Sequence, residues 1–279
     1  MTHVITAPRP LVDDCPPAVA PTPPGGRRGW RWAARLAAGL MLFTGGLAVG
    51  GQAASPQTTR LSPTDRTFPA PVGVSTGVSL DIVWRVQADP SDRLLALTFD
   101  DGPDPDGTVQ VLQVLAAHHA TATFFELGES VETHPQVVRQ VLDGGHEVGL
   151  HGWSHSTLIL DDGPTIESDL DRAEAALRAV GAEPRLFRPT YGRIDSPGLG
   201  AAATRGYTIA LWSDRLDDHS DTHRLAQRLQ PGAIVMCHDG RGHVTPELLD
   251  RIDDLLTELD QAGYRYVTVS ELLASPDPP

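Results

Sequence analysis

The 279-residue chain contains no lysine and no asparagine, so all 22 of its basic residues are arginine. Codons for both missing residues are rich in A and T; their joint absence marks a GC-rich genome and carries no functional information. Positive charge is scarce as well, with 36 acidic residues giving a net charge of −14. Residues 1–55 hold five Arg against two Asp and residues 56–90 three against three, which leaves −17 on residues 91–279. A nucleic-acid partner needs a basic footprint and is disfavoured. Only two cysteines occur, Cys15 and Cys237, on opposite sides of an apolar segment, so no disulfide framework exists. What is present in quantity is core-forming material: 40% hydrophobic against 21% charged residues excludes a wholly disordered or collagen-like chain.

Four segments follow one another. Residues 1–35 comprise a proline-rich, low-complexity tail and a basic cluster of Arg27, Arg28, Arg31 and Arg35. Residues 36–54 carry no charge and end in Gly51-Gln52-Ala53-Ala54, the pattern of a signal-peptide apolar region with a cleavage site. As a helix the same stretch would reach about 28 Å, which also admits a single membrane anchor. Residues 55–80 read as a linker rich in Pro, Ser, Thr and Gly. Residues 81–279 form the expected folded domain. The chain is thus expected to be exported, to the cell envelope or beyond it.

Within that domain, short apolar runs at 94–99, 121–125, 147–150, 185–187, 207–212, 233–237 and 264–269 alternate with amphipathic stretches. The helical ones include 108–118, 135–142, 166–180 and 246–262. Such alternation means βα units and a mainly parallel sheet. About seven strands in roughly 190 residues fit a (β/α) barrel, in which function sits on loops at the C-terminal ends of strands.

Five of those ends carry polar residues that folding does not require. At Thr98-Phe99-Asp100-Asp101-Gly102-Pro103, two adjacent carboxylates repel unless one meets a cation and the other holds or takes a proton. Alone, the segment is equally a turn with a helix cap. Asp161-Asp162-Gly163-Pro164 repeats the tetrapeptide just before a helical pattern and reads as a cap. In His151-Gly152-Trp153-Ser154-His155 the i,i+4 spacing sets two imidazoles on one side of a helical turn, close enough to share a divalent metal. His219 and His223 share that spacing but lie in the acidic stretch 217–221 and read as a solvated loop. Arg188-Pro189-Thr190-Tyr191-Gly192 offers an arginine able to orient a carboxylate and a turn able to aim a backbone N–H at an oxyanion. Trp212-Ser213-Asp214-Arg215-Leu216-Asp217 and the strand ending Met236-Cys237-His238-Asp239 complete the set. His238 stands either as a core histidine or where a general acid would be placed.

Taken in this order, the five segments resemble the polysaccharide deacetylase family, also called the NodB-homology domain or carbohydrate esterase family 4, over about residues 91–270. The resemblance implies an α/β fold of one catalytic domain, a distorted (β/α) barrel, and metal-dependent removal of acetyl groups. It implies Asp101, His151 and His155 as ligands of one divalent metal, zinc first, with cobalt, iron or nickel compatible with the same donors. It further implies Asp100 as general base, a charged His238 as general acid, Arg188 steering Asp100, Asp217 orienting His238, and the Tyr191 N–H facing the oxyanion. Tyr191, Trp212 and Met236 are the candidate substrate contacts. The chain departs from the family pattern at Leu150, Gly152 and Asp218, where Asn, Ser or Thr, and Trp are usual; the last change removes a sugar-stacking surface. The expected substrate is an N-acetylated polysaccharide such as peptidoglycan or a chitin-like polymer. The alternatives are O-acetyl ester cleavage on xylan or exopolysaccharide, a non-catalytic glycan-binding protein, and a small-amide hydrolase. No oligomer signal is visible.

Overall fold

Leu94–Asp100 is the longest strand, β2, and all seven of its residues are buried. Leu95, Leu97 and Phe99 join the large apolar cluster beneath the helices, whereas Leu94 and Ala96 join a smaller cluster with Phe125, Leu186, Ala210 and Ile234. A strand covered on both faces is what a near-continuous apolar run requires in a parallel sheet. The computed structural model describes residues 80–89, 91–158 and 161–275. The tail, the apolar segment 36–54 and nearly all of the linker lie outside them. Among the described residues no helix is long and apolar enough to cross a membrane.

The chain order is β1 (Ile82–Val83), β2, α1 (Gly107–Ala117), β3 (Ala122–Glu126), α2 (Gly128–Thr133), α3 (Pro135–Asp143), β4 (Glu147–Leu150), α4 (Gly163–Ala179), β5 (Leu186–Phe187), α5 (Ser196–Thr204), β6 (Thr208–Ala210), β7 (Asp214–Arg215), α6 (Thr222–Arg228), β8 (Ile234–His238), α7 (Pro246–Gln261), β9 (Arg265–Tyr266) and α8 (Val269–Ala274). A 3₁₀ turn, Thr190–Gly192, follows β5. Every ladder is parallel, in the order β1-β6-β5-β4-β3-β2-β8-β7, with β9 on the start of β2. Arg85, just past β1 at one end of the sheet, makes an antiparallel bridge to Ala233 before β8, the next-to-last strand at the other end. This is the distorted (β/α) barrel.

The long expected elements are found nearly in place. Asp162 caps α4 by accepting the Thr165 N–H at 2.9 Å, as its sequence implies. The run 264–269 is cut short: only Arg265–Tyr266 pairs, because Thr268 and Glu271 form a capping box that starts α8. The acidic stretch around His219 and His223 is partly helical, with Asp221 capping α6 through the Arg224 N–H. His219 is fully exposed to solvent and His223 pairs with Glu258, so neither is near a metal cluster.

His118, which ends α1, is clamped by α7. Its Nδ1 lies 2.7 Å from Asp260 Oδ2 and its Nε2 3.0 Å from Asp253 Oδ1. A neutral imidazole carries one N–H, so both bonds require the charged ring. Burial opposes that charge, but the two carboxylates outweigh it and raise the His118 pKa. A raised histidine contributes stability that is full below its unfolded value, about 6.5, and is lost as pH rises through the folded value. The stability difference between the native chain and His118→Gln, measured by urea unfolding, is expected to be about 1 kcal/mol at pH 6 and to shrink at pH 9.

Candidate active site

Side chains alternate across a strand, so residues in step with Ala96 point into the barrel: Thr98 and then Asp100. The ladders pair Asp100 with Phe125 of β3 and with His238 of β8, and Leu150 with Phe187. One step beyond that last pair, His151 and Arg188 return to the inner face. Four expected site residues from four strands thus meet at the C-terminal mouth because their registers agree.

Arg188 is fully buried. Its guanidinium donates to Asp100 Oδ1 at 2.6 Å, Thr98 Oγ1 at 2.8 Å, and the carbonyls of Ala210 and Leu211 at 2.8 and 3.0 Å. It also lies over the Phe125 ring, 4.0 Å from the centroid. The expected steering of Asp100 is present, and the arginine is no surface residue of a turn.

His151 Nδ1 lies 2.7 Å from the Arg188 carbonyl and must donate to it, which leaves Nε2 as the lone-pair nitrogen of the neutral ring. That nitrogen is 3.4 Å from Asp101 Oδ1, and His155 Nε2 is 3.1 Å from the same oxygen. Asp101 Oδ1 is buried with no hydrogen-bond partner. Two nitrogens and one carboxylate oxygen within 4.8 Å of one another, with lone pairs converging, fit a divalent cation. Burial disfavours charge on His151, but Asp100 and Asp101 override it and raise its pKa. Burial likewise pushes Asp101 upward and its histidine neighbours more than reverse this, holding it far below the usual carboxylate range. The centre therefore attracts a cation.

The His151–His155 segment is a bend and not the helical turn its spacing predicts. His155 reaches Asp101 through a left-handed backbone, φ 60°, and Gly152 has φ 87°, where any side chain is strained. The bend is fastened to α4: Asp169 accepts the Trp153 N–H at 3.0 Å, and Arg172 stacks on the Trp153 ring. Tyr191, φ 58°, turns its exposed ring edge-on against His155, 4.6 Å between centroids. Met236 is buried on the inner face, and Trp212 is half-buried against Gly192.

Residues 87–210 match the polysaccharide deacetylase family. A peptidoglycan-N-acetylglucosamine deacetylase of Bacillus cereus is 36% identical over 200 residues, 69% of this chain and 92% of that protein. The chain belongs to the polysaccharide deacetylase family. As a member it is a hydrolase of non-peptide carbon–nitrogen bonds. The peptidoglycan-N-acetylmuramic acid deacetylase PdaC of Bacillus subtilis is 32% identical over 191 residues, which are 66% of this chain but 39% of the relative. The crystal structure of a peptidoglycan N-acetylglucosamine deacetylase in complex with an N-hydroxybenzamide superposes with a TM-score of 0.64 at 27% identity, covering 71% of this chain and 95% of the other.

One expectation for this deacetylase needs correction. Asp217 does not orient His238: its carboxylate accepts the His219 N–H and the Ser220 hydroxyl, each at 3.0 Å, and pairs with Arg215 at 3.2 Å. The neighbour of the His238 ring is instead His243, 4.7 Å away. Burial lowers the His238 pKa more than Asp100 and Asp101 raise it, and His243 and His151 add to the lowering.

Sequence reasoning missed Glu126, Asp239, Arg241 and His243. Glu126 and Asp239 are fully buried, and Glu126 Oε2 and Asp239 Oδ2 lie 2.6 and 2.4 Å from the point a Cβ on Gly102 would occupy. Burial, reinforced by neighbouring carboxylates, raises Glu126 well above its ordinary range and Asp239 to about 8. Glu126 ends the apolar strand β3 and Asp239 directly follows β8, the same signal that singled out Asp100. Removing Arg188 would leave Asp100 buried without its partner. Arg188→Met is expected to cost about 3–5 kcal/mol in denaturant unfolding, and Arg188→Lys, which cannot reproduce the planar fork, to recover only part of it.

Proposed function

We propose that this chain is an exported, metal-dependent deacetylase that hydrolyses N-acetyl groups of a polysaccharide, with peptidoglycan as the first candidate. The observation that carries the reading is Asp101 Oδ1, buried, unpartnered and faced by two imidazole nitrogens, beside an Asp100 gripped by Arg188. The names of the relatives support peptidoglycan, and the basic cluster followed by the uncharged segment 36–54 supports export.

Asp101, His151 and His155 would hold one divalent ion, zinc by the donor set, which supplies Lewis-acid polarisation of the acetyl carbonyl and acidifies water. Asp100, fixed through Oδ1, accepts the proton of the attacking water. The Tyr191 N–H, freed by its left-handed turn, faces the developing oxyanion. His238, the register partner of Asp100, is the charged general acid and carries a proton on its ring. Its ring then delivers the proton to the departing nitrogen. The acetyl methyl meets Met236, and the sugar meets Tyr191 and Trp212. An alkoxide leaves more readily than an amine, so ester cleavage would depend less on His238.

Acetate release by the full chain from N-acetylglucosamine oligomers and from acetylated xylan tests this reading. Release is expected to stop with chelator, to return with zinc, and to fall at least about 10³-fold in Asp100→Asn. His238→Asn is expected to lose about 10²–10⁴-fold on the amide and less on the ester. Chelator-resistant release, or full activity in Asp100→Asn, would overturn the reading.

A further inference from the structure

The loop after β8 brings two side chains to the mouth that the proposed chemistry does not use. His243 Nε2 lies 3.4 Å from Asp101 Oδ2, and Arg241 Nε lies 4.0 Å from the same oxygen, both beyond a good hydrogen bond. The guanidinium makes no hydrogen bond among the described residues, and the two side chains are 51% and 44% exposed. The loop itself is seated firmly. A Cβ on Gly240 would come within 2.1 Å of the Asp101 carbonyl, so only glycine lets the loop lie this close to the Asp101 turn. Arg241 borders a cleft of about 250 Å³ with Pro103, Leu127, Glu129, His134 and Ser154.

Their position relative to His238 decides what they could meet. His243 neighbours His238, which in the reading above delivers its proton to the departing nitrogen of the sugar. The departing nitrogen is borne by carbon 2 of the sugar. In a muramyl sugar the adjacent carbon 3 carries a lactyl ether that ends in a carboxylate, whereas in glucosamine it carries a hydroxyl. A guanidinium fork matches a carboxylate, and an imidazole N–H adds a further donor. Of the acids along the cleft, Asp104 Oδ1 already accepts the N–H groups of Asp106 and Gly107. Glu129 stands in the first turn of α2, at the positive end of its dipole.

We propose that Arg241 and His243 form a subsite for a carboxylate on the carbon next to the acetamido-bearing one, so that the chain prefers N-acetylmuramyl sugars with a free lactyl group over N-acetylglucosamine. The inference rests on the deacetylase reading above. It is tested with the full chain by kcat/KM for acetate release from three oligomers: one with free lactyl groups, one with those groups capped as methyl amides, and one of N-acetylglucosamine alone. Binding of the deacetylated products, muramic acid and glucosamine, is measured in parallel by calorimetry. The free-lactyl oligomer is expected to exceed both others at least tenfold through a lower KM. That ratio should fall at least tenfold in Arg241→Gln, by less in Arg241→Lys and His243→Gln, and muramic acid should lose its tighter binding in Arg241→Gln. Equal rates on the free-lactyl and N-acetylglucosamine oligomers, an advantage that survives capping, or a ratio unchanged in Arg241→Gln would overturn the subsite and leave the deacetylase standing. No acetate from any oligomer would overturn both.

Discussion

A buried arginine holding a buried carboxylate is the constraint around which this barrel is arranged. Arg188 follows a strand of two residues, yet it binds Thr98 and Asp100 of β2 and two carbonyls at the end of β6. It stacks on Phe125 of β3, and its own carbonyl fixes the tautomer of His151 after β4. Two charges taken out of water are costly unless every donor and acceptor is matched. Here the matching partners come from the adjacent β6 and from β2, three strands away in the sheet order, so satisfying one guanidinium sets their mutual alignment. The orientation of Asp100 and the lone pair of His151 both follow from that one placement.

The centre itself is held under strain. Asp101, His155 and Tyr191 all have positive φ, at 78°, 60° and 58°. Each such residue costs on the order of 1–3 kcal/mol and persists only where its surroundings over-determine it. The surroundings do so here: Asp169 and Arg172 tie down the histidine bend, the Thr190 hydroxyl binds the Ser156 carbonyl at 2.8 Å, and the β8 loop lies against the Asp101 carbonyl. Beneath, Glu126 and Asp239 bring two further buried carboxyl groups against the same turn. Strain and uncompensated negative charge are both features of a site built to be completed by a cation.

The fold class and the principal strands were readable because apolar runs and turn residues report burial directly. The converging polar strand ends were readable for the same reason, since a charged residue closing an apolar strand has no folding rationale. What escaped notice depended on three dimensions. Strands β1 and β7 are too short to show a period, and α5 is a run of Ser, Gly and Ala without an apolar stripe. Asp217 follows a strand end as a site residue should, yet the loop turns its carboxylate back on Ser220. Arg241 and His243 sit in a glycine-rich loop with nothing local to mark them; only the packing of Gly240 against Asp101 reveals where they point. The histidine pair was found by its spacing, but its geometry is a left-handed bend that spacing alone does not encode.

Cys237 precedes His238 and is buried among the residues beneath the helices, its thiol held far above its ordinary value first by burial. Neighbours in a strand face opposite ways, so the ladder to β2 turns the imidazole inward and the sulfur outward. A slip of β8 by a single residue would exchange them and set a soft ligand beside the Asp-His-His centre, one that favours different ions from those bound by oxygen and nitrogen. Strand register in this barrel thus doubles as a filter on inorganic chemistry: the pleat decides whether the centre meets an imidazole or a thiol.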